Sequence, residues 1–372
     1  MAIQAGKTMI LALGVALGVT ACDQADERSS EAATSWRTGV VDNGGHLTLN
    51  TNAWIPASAR DLHEFRDNGD VYVSSYGYET KLMGVSHPST AYGAVSSPAM
   101  GSAPAGVASI RLRPGAEVEV EVKGPQAGDT EYVLRGEDLV GLELSFDMKD
   151  PEANWYSVVL EVVGHMVDES GNDLYELDRV DPVTGNHVSL CEQSAAYGRF
   201  ARITSGLHIE GETGDVDIAA PSLRHIGCIA SVPAKAMLLG YAATAETYDE
   251  FVLATRVVRA DYCADGHPYT YPGNLFATDD NLDGPKTLAE VEAAHDGQVL
   301  EAVWDVNGVL CVGTPRADNT SRTDVVCPTK HWADGTITHN WQPPSCADFV
   351  DTGAPGELRL YSFTGAPEEP EA

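Results

Sequence analysis

Six of the seven cysteines lie at or beyond residue 191: Cys191, Cys228, Cys263, Cys311, Cys327 and Cys346. An even set of thiols in a chain that leaves the reducing cytosol reads as a disulfide framework. Three cross-links are therefore expected, with the connectivity left open. The second half of the chain is stapled, whereas the first half has to stand on apolar packing alone.

Export is what makes that reading apply. The N-terminal string MAIQAGKTMILALGVALGVTAC has one charge, Lys7, and its apolar run from Met9 to Val19 is too short to span a bilayer. Small residues lead into Cys22, the arrangement of a bacterial lipoprotein signal. Residues 1–21 are then the signal peptide and Cys22 the lipid-modified first residue of the mature chain; the alternative is a secretory signal cut near Ala21. Residues 22–37 are small, polar and acidic, as a flexible tether should be. No other stretch approaches 18 apolar residues, so lipid is the expected anchor. The expected location is the bacterial cell envelope, inner or outer membrane undetermined.

Charge narrows the partners. Against 55 acidic residues stand 23 basic ones, a net charge of −32. That field repels nucleic acid and anionic headgroups, so no nucleic-acid partner is expected and the membrane is reached through lipid. A hydrophobic content of 43% supplies a core for roughly two domains of ~150 residues each.

The patterning is mainly β. Alternating or β-branched runs occur at 46–50, 70–75, 107–113, 116–123, 141–148, 155–164 and 207–211. The sharpest hairpin is EAVWDVNGVLCVG, 301–313, with Asn307-Gly308 as the two positive-φ positions of a tight turn. The Pro/Gly/Ser-rich stretch 86–106 reads as a long surface loop. Helices are expected at 232–241 with Ser231 as N-cap, at 248 to about 263, and at 287–295. For the second, Thr247 and Glu250 spell a capping box, and Gly266 and Pro268 stand where a helix stops. The fold class is α+β, predominantly antiparallel β with a few short helices and a disulfide-stapled C-terminal domain. The expected division is a β-rich domain over 38–130, a second domain over 131–350 and an acidic, Pro-rich tail over 351–372.

RADYCADGHPYTY, 259–271, gathers Arg259, Asp261, Cys263, Asp265 and His267. A cation and an imidazole beside a thiol would activate it, but a helix stopped at Gly266 leaves His267 off the face, and an exported cysteine among others is oxidised. Asp261 and Asp265 sit at the helix end whose dipole disfavours negative charge. They call for a compensating partner such as a backbone amide cluster, an arginine or a cation; the alternative is solvated acids in an acidic chain.

With LRGEDLVG (134–141), SLCEQ (189–193), AKAMLLGY (234–241) and the 301–313 hairpin, the stretch RVVRADYCADG resembles the ADYC-domain family of bacterial, often lipid-anchored proteins. The resemblance covers roughly 130–350 and implies a cysteine framework, not a mechanism. Where family members are expected to carry two further cysteines, this chain has Ala236 and Ala254, as though a bridge between packed helices were missing. Sequence proximity then suggests Cys191–Cys228 and Cys327–Cys346, leaving Cys263–Cys311.

DDNLDGPKTLAE, 279–290, fits the spacing of an EF-hand-like loop. A calcium ion there would take oxygens from Asp279, Asn281, Asp283, the Pro285 carbonyl and Glu290. Lys286 and the missing entering helix argue instead for a solvated turn. Cys327, His331, His339 and Cys346 match no familiar zinc spacing. Enzyme signatures (G-x-S-x-G, H-E-x-x-H, P-loop, dinucleotide fingerprint) are missing, and His63-Glu64 lacks the second histidine. No catalytic residue is assigned. The favoured function is a lipid-anchored envelope protein that binds or supports, with calcium as a stabiliser; the alternative is an enzyme acting on envelope polymers from the 131–350 region.

Overall fold

Alternation builds the main sheet. Along Glu143–Lys149, Leu144, Phe146 and Met148 are buried while Glu143, Ser145, Asp147 and Lys149 are not, the period-2 pattern of a strand with one wet face. The structure, a computed structural model, describes residues 48–49, 55–90, 93–97, 109–113, 118–124, 129, 131–168, 171–193, 198–210, 216–241, 247–270, 275–282, 284–317, 320–332, 335–350 and 357–364. Residues 1–37, read above as signal peptide, lipidated Cys22 and tether, lie outside these residues.

A ten-stranded antiparallel sheet runs Glu64–Arg66, Leu223–Cys228, Phe200–Ser205, Asp173–Val180, Trp155–Val167, Glu143–Lys149, Glu79–Thr90, Tyr72–Val73, with His187–Ser189 and Gly93–Ser97 paired beside this path. It curls, so that Phe65 on one edge strand meets Phe146 edge-on at 5.0 Å. A five-stranded sheet has the order Thr48–Leu49, Leu275–Asp280, Leu360–Thr364, Val299–Asp305, Gly308–Val312. Between the sheets lie helices Val232–Leu238 and Tyr248–Arg259, packed on each other with Ala236 and Ala254 fully buried. A third helix spans Leu288–Ala294. The described residues are thus mostly antiparallel β with three short helices.

Four expectations change. The large sheet crosses residue 130, because strands from 64 to 97 pair with those from 143 to 228. Part of the expected 86–106 loop is a hairpin, Glu79–Thr90 with Gly93–Ser97. Residues 360–364, read as tail, form the central strand of the five-stranded sheet, where Leu360, Tyr361 and Phe363 are buried. In the 301–313 hairpin only Gly308 has positive φ, +104°, and the turn is displaced to Val306-Asn307 by pairing of Asp305 with Gly308.

Three disulfides staple the fold: Cys191–Cys228, Cys263–Cys327 and Cys311–Cys346. The first pairing is as expected; the other two exchange partners relative to expectation. Cys327 opens the strand Cys327–His331, whose Lys330 docks against the hairpin turn, so it reaches Cys263; Cys311 meets Cys346 in the smaller apolar cluster. Closing a 64-residue separation stabilises by about 4 kcal/mol in the chain-entropy picture. Peptide mapping without reduction should recover these three pairs. A Cys263–Cys311 peptide would contradict the arrangement.

Candidate functional site

The Tyr248–Arg259 helix buries Phe251, Leu253, Ala254, Val257 and Val258. It ends three to four residues earlier than its pattern suggests, and not at Gly266. Ala260 adopts φ +51°, its N–H reaches Val257 O at 3.1 Å, and Asp261 N–H reaches Arg256 O at 2.9 Å. An alanine in the left-handed region costs roughly 1 kcal/mol, so neighbouring contacts must hold it. At the other end Thr247 makes no side-chain capping bond, contrary to the expected capping box; the box is found at Thr287 and Glu290.

The misplaced aspartates resolve here. Asp261 is buried, and its carboxylate accepts from Asp265 N at 3.2 Å and Gly266 N at 2.9 Å. It faces the amides of the following turn rather than the helix carbonyls. Burial pushes it up to about 6; Arg256, the Gly266 amide and Arg259 oppose this, while Asp265 adds to it. Asp265 is exposed and accepts from His267 N at 3.0 Å, and His267 is exposed beside the Tyr269 ring.

The helix's own carbonyls are met by Arg316. It donates to Val258 O at 3.1 Å, to Val257 O at 3.0 Å, and to Glu301 Oε2 at 3.1 and 2.7 Å. Both side chains of this ion pair are fully buried. Tyr262 completes it: its hydroxyl donates to Glu301 Oε1 at 2.7 Å and accepts from Arg316 N at 3.3 Å, and its ring stacks on Trp304 at 5.3 Å. Burial and Glu301 hold the Tyr262 hydroxyl well above the ordinary phenol range. Cys263 carries the chain on to Cys327. Each residue of Ala-Asp-Tyr-Cys therefore has a structural task.

The hairpin closes over this turn. Val309 N donates to Tyr262 O at 3.1 Å, and a Cβ on Gly308 would stand 3.1 Å from that same oxygen. Lys330 donates to Asn307 O and Val309 O beside Trp332 and Trp341, 5.4 and 5.2 Å from their centroids. These indoles serve the lysine. Beside the turn opens a cleft of about 440 Å³ whose lining includes Arg256, Cys263, Asp265, Asn307, Thr329 and His331. It offers a cation, an acid, an imidazole and a hydroxyl, and its sulfur is oxidised.

Of the five residues expected to take calcium, Asp279, Asn281 and Glu290 have other partners. Asp279 is the penultimate residue of the strand Leu275–Asp280 and pairs with Lys286 at 2.6 Å. Asn281 bonds to Glu357 O and Arg359 N, and Glu290 caps its helix from Thr287. Asp283 lies outside the described residues. Among the described residues no three His, Cys, Asp or Glu side chains are arranged to hold a metal.

A second constellation escaped sequence reading. Glu64, fully buried, accepts at Oε1 from Ile209 N at 2.9 Å and from His225 Nδ1 at 3.1 Å. Its Oε2 takes His208 Nδ1 at 2.9 Å and the Tyr72 hydroxyl, and His63 Nε2 stands 3.9 Å away. Burial pushes Glu64 up, but the hydrogen bonds from His208 and His225 and the electrostatic attraction of the neighbouring His225 and His63 rings outweigh it and hold the carboxyl well below the usual range. Only the pair His63-Glu64 hinted at this in sequence. Glu301 was the more legible of the two buried acids, as the one charge inside the apolar run VLEAVW.

Comparison with known proteins agrees with the sequence resemblance: the family model of the ADYC domain matches residues 136–318. No curated protein and no solved structure matches the chain.

Arg316→Leu, which strands Glu301 in the core, should lower unfolding free energy by about 3–5 kcal/mol in urea titration. For Asp261 the folded value lies above the unfolded one, so its neutral form favours folding and that advantage is lost as pH rises from 3.8 to about 6. The full shift corresponds to about 3 kcal/mol. Asp261→Asn should accordingly be less destabilising, relative to the parent chain, at pH 7.5 than at pH 4.5.

Proposed function

From its membership of the ADYC-domain family, we propose that this chain is an exported, lipid-anchored protein of the cell envelope that binds its partner in the cleft beside Ala260–Cys263. One observation carries binding over turnover: the reactive groups of the signature are spent on the fold. Cys263 is in a disulfide, Asp261 is bonded to two amides, and Tyr262 is bonded to Glu301. What faces the cleft is a mixed polar lining of the kind that orients a ligand. Anchoring rests on the lipoprotein pattern ending at Cys22. No helix among the described residues is long and apolar enough to cross a membrane. An enzyme acting on envelope polymers is the second reading, favoured by Asp265 and His331 lining the same cleft.

In a bacterial host, labelled palmitate should enter the full-length chain, and Cys22→Ser should abolish the label and release the protein from the membrane fraction. Cosedimentation with isolated peptidoglycan tests the cleft. Thr329→Trp, which fills it, should weaken cosedimentation at least tenfold while shifting Tm by no more than about 2 °C. Equal cosedimentation of parent and variant would remove the cleft as the binding site. Release of soluble fragments from that material, abolished by Asp265→Asn, would establish the enzyme instead.

A further inference from the structure

We propose that Glu64 and the imidazoles around it form an acid-sensitive latch, which holds the Leu207–Ile209 and Val216–Ile218 hairpin on the large sheet and joins the two edges of that sheet. The hairpin is a separate two-stranded unit. Two of its contacts end on the Glu64 carboxylate, the Ile209 amide on one oxygen and the His208 ring on the other. Tyr72 shares the second oxygen and stands 3.1 Å from His208 Nδ1. Glu64–Arg66 and Tyr72–Val73 are the opposite ends of the sheet order, so a single carboxylate ties both edges and the hairpin together.

Two ring nitrogens make this junction a place for a proton. His63 Nδ1 lies 2.9 Å from Arg60 O, which accepts its hydrogen; His225 Nδ1 likewise donates to Glu64. Each neutral ring is thereby left with a bare Nε2, and both Nε2 atoms are buried without a hydrogen-bond partner. The two rings are 6.2 Å apart, so charging both would set two buried cations against each other. His208 is the more exposed member, with Glu210 and Asp217 acting on it from its own hairpin. Glu210 from the hairpin and Arg66 from the sheet also act on Tyr72, while Arg60 sits over the Tyr76 ring that packs edge-on to His63.

The signs follow. Burial lowers His63 to about 4, against attraction from Glu64. The closed latch thus keeps it neutral, whereas an opened one takes up a proton near 6.5, so each step down from 6.5 to about 4 favours opening. Glu64, held low, contributes above its ordinary 4.5 and loses that contribution as pH falls through its folded value. His208 is raised by its bond to Glu64, so its contribution is complete below 6.5 and lost as pH rises through its folded value. The latch is tightest between these limits and yields in acid.

Hydrogen–deuterium exchange on the full chain, corrected for intrinsic rates, reads this directly. Between pH 7 and pH 4.5, protection of Leu207–Ile209 and Val216–Ile218 should fall at least tenfold, while Val299–Asp305 stays within twofold. His63→Asn keeps a donor for Arg60 O but cannot titrate, and should retain the hairpin's protection at pH 4.5. Equal loss in both regions, or unchanged loss in His63→Asn, overturns the proposal. Should that variant fail to fold, NMR titration of the parent chain decides: His63 titrating below pH 5 supports the latch, and above pH 6 refutes it.

Discussion

The Glu301–Arg316 ion pair is the constraint on which the stapled half depends. Taking two charges out of water costs several kcal/mol per ion and is offset only when the remaining hydrogen-bonding capacity is filled. Here it is filled from every side. Arg316 covers two terminal carbonyls of the Tyr248–Arg259 helix, Glu301 holds the Tyr262 hydroxyl, and the Phe276 ring lies 3.9 Å from the guanidinium. The pair therefore fixes three things at once: where the helix stops, where Tyr262 enters the core, and how the Val299–Asp305 strand sits beneath them.

From that junction the turn is determined. With Tyr262 drawn down to Glu301, the chain has to reverse at Ala260, which is why a non-glycine residue is found at φ +51°. The reversal leaves amides 265 and 266 pointing inward, and the Asp261 carboxylate supplies their acceptor. Cys263 then lies against the hairpin turn and within reach of Cys327. The cleft is what remains on the outer side of these contacts, bounded by Asp265 on the turn and by Thr329 and His331 on the next strand. A signature that looks like a set of reactive groups is the fastening of a surface.

Local periodicity made the strands and helices legible, and the resemblance located the domain. The partners of buried charges were not legible, because Glu301 with Arg316, and Glu64 with His208 and His225, meet only through the tertiary fold, across separations of 15 to 161 residues. Two of the three cysteine pairings were missed for the same reason: proximity in sequence favoured Cys327–Cys346, but the docking of Lys330 on Asn307 O and Val309 O sets the register that brings Cys327 to Cys263. Within the calcium-like spacing at 279–290, Asp279 on a strand pairs with Lys286, and Glu290 completes a capping box. Spacing alone could not separate these uses.

The family match begins at residue 136, yet the sheet it contains is finished by residues before it. Glu64–Arg66 covers one edge and Glu79–Thr90 with Tyr72–Val73 covers the other. Open edges invite pairing with other chains, and very short terminal strands are one way of blunting them. Here the two outermost strands have three and two residues, and Tyr72 on one bonds to Glu64 on the other. The N-terminal segment thus acts less as a separate domain than as the closure of the domain that follows. A single buried carboxylate at the join makes that closure depend on the protonation of its neighbours.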